Sequence, residues 1–357
     1  MDFTFTPEQQ MLTDSLSRLL GQHYAFDQRR KIVASPEGRS TRVWNELRDM
    51  GLLALPLPES LGGLGGSIVD VVAIGELMGR HIVVEPWLTS AAVAAAVVAA
   101  TDPARAGALL DGSALAALAH EEGAGTADPA TIATRIDAAG RLTGEKALVI
   151  AGDAASVFIV SAKGADGAPA LYRVDGAAEG LTRQSFTTID GRRAAHLRFA
   201  SVAVTPVAGD PAAVLREVLA TALIGFSAEA VGAMGALLET TATYASTRKQ
   251  FGVPIASFQV IAHRLADMKL AYVKARSLLL HTAALAEAGV ASARELSLLK
   301  AQVGRLGRQL GESAVQIHGG VGMTDELSVG HYLKRILFVD ALLGGADYHL
   351  QRIGAGV

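Results

Sequence analysis

Cysteine is absent from this chain of 357 residues. Without thiols, the protein has no disulfide, no thiolate metal site and no cysteine nucleophile. Aromatic residues make up only 5% of the chain and charged residues 19%, whereas 50% of the residues are hydrophobic. This composition is typical of a soluble, helix-rich protein that is long enough for two or three domains.

A strong net charge is also absent, because the formal charge is −3 at pH 7. The chain therefore lacks the basic surface that binds nucleic acid or an anionic membrane, and local arginines and backbone amides must hold any phosphate. The N-terminal residues do not have the pattern of a signal peptide, and the apolar run 91–100 is too short to cross a bilayer. We expect a cytoplasmic protein, and the sequence has no metal-ligand spacing.

The periodicity of apolar residues divides the chain into three parts. The first part, 1–115, has helical spacing, and Thr6-Pro7 followed by Gln9 has the form of a helix start. The second part, 116–207, contains short β-branched or alternating runs separated by glycines, which predicts the strands of a small barrel or sandwich. The third part, 208–357, is helical again.

One helix of the third part is sharply defined. A capping box at Ser292 precedes an apolar stripe with steps of three and four residues, formed by Leu296, Leu299, Val303, Leu306 and Leu310. Gly304, Gly307 and Gly311 lie in the same helix, although each glycine weakens an isolated helix by about 1 kcal/mol relative to alanine. We therefore expect another backbone or a ligand to come close to this helix.

Two segments of the third part have features of a phosphate site. Arg248 and Lys249 end a helix before a turn, and arginine binds pyrophosphate through a planar fork of donors. In the segment from Gln316 to Gly320, adjacent glycines leave the backbone bare, so that amides can approach a phosphate or a ring. The residues alone also allow a simpler interpretation, in which the cations complement a helix dipole and the glycines end a helix.

Both segments lie within a longer resemblance to the acyl-CoA dehydrogenase family. The run RKQFGVPIASFQVIAHRLADM is similar to the family pattern R..FG.PI..FQ....LADM, and QIHGGVGMTDELSVGHYLKR is similar to Q..GG.G...E.PV.R.YRD. The segment WNELRDMGLLALPLPESLGGLGGS resembles the family's LGL...PEEYGG.G. Within the family, the chain most resembles the small subunits of pimeloyl-CoA-type dehydrogenases and the steroid-side-chain enzymes that work as mixed pairs of subunits.

This resemblance implies a mainly α fold with a central β domain: an N-terminal helical domain, a middle β-barrel and a C-terminal four-helix bundle. It also implies FAD between barrel and bundle, with the adenine end held by a neighbouring subunit, in a homo- or hetero-oligomer. Thr126 replaces a family serine on the substrate side. The residues that match the family's flavin contacts are Arg248, Gln250, Phe251, Phe258, Gln259, Val149 and Ile150, and from the partner subunit Gln316, Ile317, Gly319 and Gly320.

The implied reaction is α,β-dehydrogenation of an acyl-CoA, with electrons passed to an acceptor like electron-transfer flavoprotein. A desolvated carboxylate must remove the α-proton. The family's usual position for this base falls on Gly344 and the alternative position on Ala222, so that neither carries a carboxylate. Asp340 and Asp347 are the nearest carboxylates, and Asp347 has the position of a helix cap.

Two other candidates receive a structural interpretation. We interpret Glu121, which matches a family residue near the flavin, as a solvated charge in a loop, and His318 and His349 as structural hydrogen-bond donors. Three functions stay open: a subunit that pairs with a glutamate-bearing paralogue, a non-catalytic structural or regulatory subunit, and an enzyme with an unrecognised base. The first explains why the pyrophosphate motifs are kept while the base is missing.

Overall fold

Two helical regions flank a β-sheet in the computed structural model of this protein, which describes residues 6–123 and 128–356. The predicted order of helices, strands and helices is confirmed. The first region contains α1 (Pro7–His23), α2 (Phe26–Ala34), α3 (Thr41–Asp49), α4 (Ile68–Arg80), a π-helix (Trp87–Ala95) that continues into α5 (Ala96–Thr101), and α6 (Ala106–Leu110).

The start of α1 has the predicted capping box. The Oγ1 atom of Thr6 accepts a hydrogen bond from the N–H of Gln9 at 3.3 Å, and the Thr6 N–H donates to the Gln9 side chain at 3.0 Å. These bonds satisfy backbone groups that a helix end leaves unpaired. The capping box at Ser292 is also present, with the Ser292 N–H donating to Glu295 at 3.0 Å.

The central region is an eight-stranded sheet in the order β6-β7-β3-β2-β4-β5-β8, with β1 paired to β4 in parallel. Its inner face has a core of its own, in which Leu142, Phe158 and Phe199 are fully buried. The sequence pattern does not identify β6, because this end strand is mostly exposed and has little apolar periodicity. The strands are β1 (Ala116–Ala119), β2 (Arg135–Ile136), β3 (Arg141–Ile150), β4 (Val157–Lys163), β5 (Pro169–Asp175), β6 (Leu181–Thr187), β7 (Arg193–Ala203) and β8 (Thr205–Pro206).

The second helical region is built around one long helix, α7. Within the described ranges, α7 is the one helix long and apolar enough to cross a membrane, but 78% of its most apolar stretch is buried inside the protein. Its composition is therefore explained by its place at the centre of the core. The elements are α7 (Pro211–Thr247), β9 (Lys249–Gln250), β10 (Val253–Pro254), α8 (Gln259–Glu287), α9 (Ala293–His318), α10 (Ser328–Ala341) and α11 (Ala346–Gly354).

The glycines of α9 allow α10 to pack closely against it. A Cβ atom on Gly307 would lie 2.7 Å from Ile336, and one on Gly311 would lie 2.6 Å from Leu333. The expected close approach is thus confirmed, with α10 as the neighbour. The apolar stripe of α9 is buried within the same chain, as Leu299 and Leu310 show no exposure, so this stripe does not form a surface for a second chain.

A buried cluster of charges joins the three regions. Arg335 of α10 donates from Nε to Asp190 at 2.6 Å, and Arg192 beside Asp190 forms an ion pair with Glu229 of α7. Arg29 of α2 donates to the backbone oxygen of Asp190 at 2.6 Å. Removing one member of such a cluster would leave an uncompensated buried charge, so the cluster holds the sheet and both helical regions in one arrangement.

Candidate functional site

The first predicted phosphate segment forms an exposed hairpin between α7 and α8. Strands β9 and β10 pair with each other, and the oxygen of Arg248 accepts a hydrogen bond from the Ile255 N–H at 2.8 Å. At the tip, Phe251 has a φ of 52° and is 93% exposed, with its ring 6.1 Å from the ring of Phe258. An exposed aromatic residue in this backbone region is costly unless another molecule covers it.

The cationic residues of this hairpin face solvent. Among residues 6–123 and 128–356, the Arg248 guanidinium has no hydrogen-bond or ion-pair partner. Lys249, Gln250 and Gln259 are also exposed. The fork of Arg248 donors is therefore available to an incoming anion, as a pyrophosphate contact requires.

The second segment begins at the end of α9. Gly319 has a φ of 67°, which a glycine adopts without strain, and a Cβ atom on Gly319 or Gly320 would meet no atom within 4 Å. Gln316 is exposed, whereas Ile317 is 7% exposed and packs into the helical core. The backbone after α9 is therefore open to a group that approaches from outside.

A pair of stacked rings brings the two segments together. The rings of Tyr244 and His318 lie 4.2 Å apart between centroids, with an angle of 22° between their planes. The backbone N–H of Arg248 donates to the backbone oxygen of Tyr244 at 2.8 Å, and Gly319 directly follows His318. One chain therefore presents Arg248 and the Gln316–Gly320 segment close to each other, and the assignment of the two segments to different subunits stays a prediction.

The predicted flavin residues of β3 point in opposite directions. Val149 is fully buried in the core of the sheet, where it packs with Leu197 and Phe199. Ile150 instead lines a small cavity between the sheet and the helices. Side chains alternate along a strand, so only one of the two neighbours can face a ligand in this cavity.

This cavity lies where the sequence places the missing base. Its volume is about 30 Å³. It has room for no more than a few water molecules, whereas ligand pockets typically measure about 300–1,000 Å³. A flavin ring and a thioester do not fit there. The lining consists of Thr89, Val93, Leu118, His120, Glu121, Leu148, Ile150, Ala222, Phe226, Leu342 and Leu343.

Leu343, rather than Gly344, lies with Ala222 in the lining of this cavity. Gly344 has a φ of 89°, and a Cβ atom built on it would point into the ring of Tyr348. Leu343 is therefore the residue of this loop whose side chain faces the cavity, and the assignment of the base position to Gly344 stays a prediction. The chain has no carboxylate at Leu343 or Ala222.

The weaker base candidates lie elsewhere. Asp340 and Asp347 line an open polar groove on the outer side of α9, with Arg264 and Arg308. Neither aspartate contributes to the lining of the cavity beside Ala222. The two carboxylates are therefore not positioned to take a proton from a group bound in that cavity. Thr126, the predicted substrate residue, lies outside the described residues.

Sequence analysis misjudged Glu121, which is buried rather than solvated. Glu121 is 7% exposed, forms a bridge to Leu148 of β3 and lines the cavity. Its carboxylate accepts a hydrogen bond from the Leu343 N–H. Burial raises the pKa of Glu121 to about 7, although this hydrogen bond and the charges of Lys300 and Lys146 oppose the shift. The apolar residues of β1, Ala116–Ala119, run almost up to Glu121, and this is the feature of the sequence that could have indicated its burial.

Two further buried side chains hold the loop that carries Leu343. His349 donates from Nε2 to the Leu343 oxygen at 3.0 Å, and Lys300 donates from Nζ to the Gly344 oxygen at 3.0 Å. Burial lowers the pKa of His349 to about 4 and that of Lys300 to about 8. At neutral pH the imidazole is therefore uncharged and the ammonium is charged. Both act as structural donors, and they keep Leu343 inside the cavity.

The comparisons with known proteins all indicate the same family. The family profiles described as "Acyl-CoA dehydrogenase, N-terminal domain" and "Acyl-CoA dehydrogenase, C-terminal domain" match residues 6–112 and 212–357. The Acyl-CoA dehydrogenase IpdE2 of Mycobacterium tuberculosis is 30% identical over 98% of this chain and 97% of its own.

Two solved structures are similar over nearly their whole length. A chain of the Tcur3481–Tcur3483 steroid ACAD has a TM-score of 0.90 at 29% identity, covering 98% of this chain and 97% of the other. A chain of the ChsE4–ChsE5 complex from Mycobacterium tuberculosis has a TM-score of 0.90 at 26% identity, covering 99% and 98%.

Proposed function

The chain belongs to the acyl-CoA dehydrogenase family of FAD-dependent oxidoreductases, and we propose that it completes the flavin site of a glutamate-bearing partner subunit. One observation carries this proposal. The surface around Arg248 is open and its guanidinium is unpaired within the described chain, whereas the cavity beside Ala222 is small. A protein that binds cofactor for another subunit needs the open surface and needs no active-site cavity of its own.

The small cavity beside Ala222 supports a chain without a complete active site of its own, because Leu343 and Ala222 in its lining cannot accept a proton. The sequence prediction places the base on Gly344 or Ala222, and neither residue carries a carboxylate. The Leu343 N–H, a donor that a thioester oxygen could use, already donates to Glu121. A substrate bound here would have to displace a buried carboxylate and open a loop held by His349 and Lys300.

The open surface supplies the contacts that a pyrophosphate and an adenosine require. Arg248 would bind the pyrophosphate through its planar fork, and the backbone at Gly319 and Gly320 would approach it without a Cβ in the way. Phe251, with Gln250, Phe258, Gln259, Gln316 and Ile317 around it, would border the adenosine end. Bound FAD supplies the hydride acceptor for α,β-dehydrogenation of an acyl-CoA, with a carboxylate of the partner subunit taking the α-proton.

Assembly with a second chain is supported by the exposed face of α8. Val260, Leu270 and Val273 on this helix are 66%, 55% and 45% exposed. We propose that these apolar side chains belong to the surface that the partner subunit covers. We place the chain with the small subunits of heteromeric enzymes, such as pimeloyl-CoA-type dehydrogenases. The two-protein complexes among the similar structures support a paralogous partner. Electrons would leave the complex through an acceptor like electron-transfer flavoprotein.

A second candidate is a structural or regulatory subunit that makes no contact with flavin. The small cavity fits this function equally well, whereas the exposed and unpaired fork of Arg248 favours the flavin-binding function. The FAD affinity of the complex distinguishes the two functions. Replacing Arg248 would leave this affinity unchanged if the subunit were purely structural.

The test compares the chain alone with the chain co-expressed with a glutamate-bearing paralogue. FAD is quantified per chain, and flavin bleaching by saturated acyl-CoAs is followed without oxygen. We expect about one FAD per pair and bleaching only in the complex, since a positioned base contributes about 10²–10⁴-fold in rate. Fast bleaching by this chain alone would refute the proposal.

A further inference from the structure

The stacked rings of Tyr244 and His318 join the ends of two helices. His318 is 5% exposed, and its Nδ1–H donates to the Ala314 oxygen at 2.9 Å, which fixes the plane of the ring. The next turn packs on the same residue, because a Cβ atom on Gly322 would lie 2.9 Å from the His318 Cβ. His318 is therefore held rigidly by α9, and Tyr244 rests its ring on it.

The open surface consists of the hairpin that carries Arg248 and the backbone at Gly319 and Gly320, and both parts begin next to this stack. The backbone N–H of Arg248 donates a hydrogen bond to the backbone oxygen of Tyr244, which is the last bond of α7. The backbone oxygen of Arg248 accepts a hydrogen bond from the Ile255 N–H, so the hairpin begins at the end of α7. The hairpin itself is exposed, with two-residue strands and an unburied tip at Phe251. On the other side, Gly319 follows His318 without an intervening residue. The stack therefore lies between the helix end that precedes Arg248 and the helix end that precedes Gly319.

We infer that Tyr244 and His318 are positioning residues for the flavin-binding surface, which they align through their stacked rings without touching the cofactor. The inference rests on the proposed function, because it assigns the surface to FAD. Two groups that grip one pyrophosphate must keep a set separation, and a stack of aromatic rings supplies it at low entropic cost. Without the stack, the ends of α7 and α9 lose one of the contacts that hold Arg248 and Gly319 at this separation, and FAD binding becomes weaker.

Four variants test the stack in the assembled complex of this chain with its partner. Tyr244→Leu and His318→Leu remove one ring each, whereas Tyr244→Phe and His318→Phe keep it. An aromatic pair contributes enough for an about 2- to 10-fold change in affinity. We expect the leucine variants to weaken FAD binding by this factor and the phenylalanine variants to weaken it less, with an unchanged melting temperature for Tyr244→Phe.

Two further measurements distinguish positioning from general damage. In a double-mutant cycle, the two leucine substitutions together should weaken FAD binding little more than either alone. Amide hydrogen exchange without FAD should accelerate in residues 248–258 of Tyr244→Leu while α8 is unaffected. Additive losses, unaltered exchange in 248–258, or equal FAD affinity of all four variants would each overturn the inference. A wild-type complex without flavin would refute the proposed function instead, and the exchange experiment would still decide whether the stack holds the hairpin.

Discussion

The carboxylate of Glu121 accepts a hydrogen bond from the backbone N–H of Leu343, a residue 222 positions away in the sequence. This bond connects the end of the first strand with the loop between α10 and α11. Both residues line the small cavity beside Ala222, and the bond holds the Leu343 loop against the sheet. The chain therefore combines a small internal cavity with an open surface around Arg248.

The first prediction concerns Glu121 and pH. The pKa of Glu121 is raised to about 7, so the folded state binds its proton more tightly than the unfolded chain does. Its contribution to stability is present at low pH and is lost as the pH rises through 7. Between pH 5 and 8, wild type should lose about 2–3 kcal/mol of unfolding free energy relative to Glu121→Gln. Urea denaturation at several pH values measures this. Replacing the exposed Glu326 by Gln is the control and should leave the profile unchanged.

The second prediction separates two neighbouring glycines. Gly344→Ala places a Cβ against the Tyr348 ring in a left-handed backbone, and we expect a loss of about 1–3 kcal/mol in unfolding free energy. Gly345→Ala should cost less, because its φ is −77° and the nearest atom lies 3.8 Å away. Gly344→Glu should be destabilised in the same way and should not gain dehydrogenase activity. A Gly344→Glu variant that is both stable and active would contradict this prediction and would support Gly344 as the base position.

The third prediction compares Arg248 with the adjacent lysine. Arg248→Ala should weaken FAD binding of the complex by about 10- to 100-fold, because a charge-assisted contact is lost. Lys249→Ala should change it by less than about 2-fold, since a lysine lacks the bidentate fork. Titration of the apo-complex with FAD, followed by flavin fluorescence, gives both constants. Equal affinities would remove the assignment of Arg248 to the pyrophosphate.

The fourth prediction concerns the exposed face of α8. Leu270→Asp should dissociate the oligomer, because it introduces a charge into the surface that we propose another chain covers. Met11→Asp is the matched control, as Met11 of α1 is 64% exposed and Leu270 is 55% exposed. Sedimentation velocity measures the masses of both variants. If the two variants sediment alike, α8 does not form the interface.

The features that could be predicted correctly depend on residues that lie close together in the sequence. The helix starts at Thr6 and Ser292 depend on side chains that bond to a backbone three residues away, so the sequence alone contains the whole motif. The stripe of α9 and the three-part order of helices, strands and helices follow from periodicity in the same way. The two motifs around Arg248 and Gly319 also identify the family, because their residues and their order lie within the sequence.

Long-range contacts explain the predictions that failed. Glu121 stands next to glycines and looks like a loop charge, yet the packing of Leu148, Leu343 and Ala222 around it determines its burial. Whether Leu343 or Gly344 faces the cavity depends on backbone angles in a two-residue bend, which flips the direction of a side chain from one position to the next.

The sequence by itself determined the family, the cofactor class and the absence of a base at the two expected positions. Only the tertiary structure decided that the segments around Arg248 and Gly319 lie close together and that the cavity beside Ala222 is small. The stack of Tyr244 on His318 and the bond between Glu121 and Leu343 join residues that are distant along the chain. Such contacts arise from the packing of whole elements against each other, and no local pattern of residues specifies them.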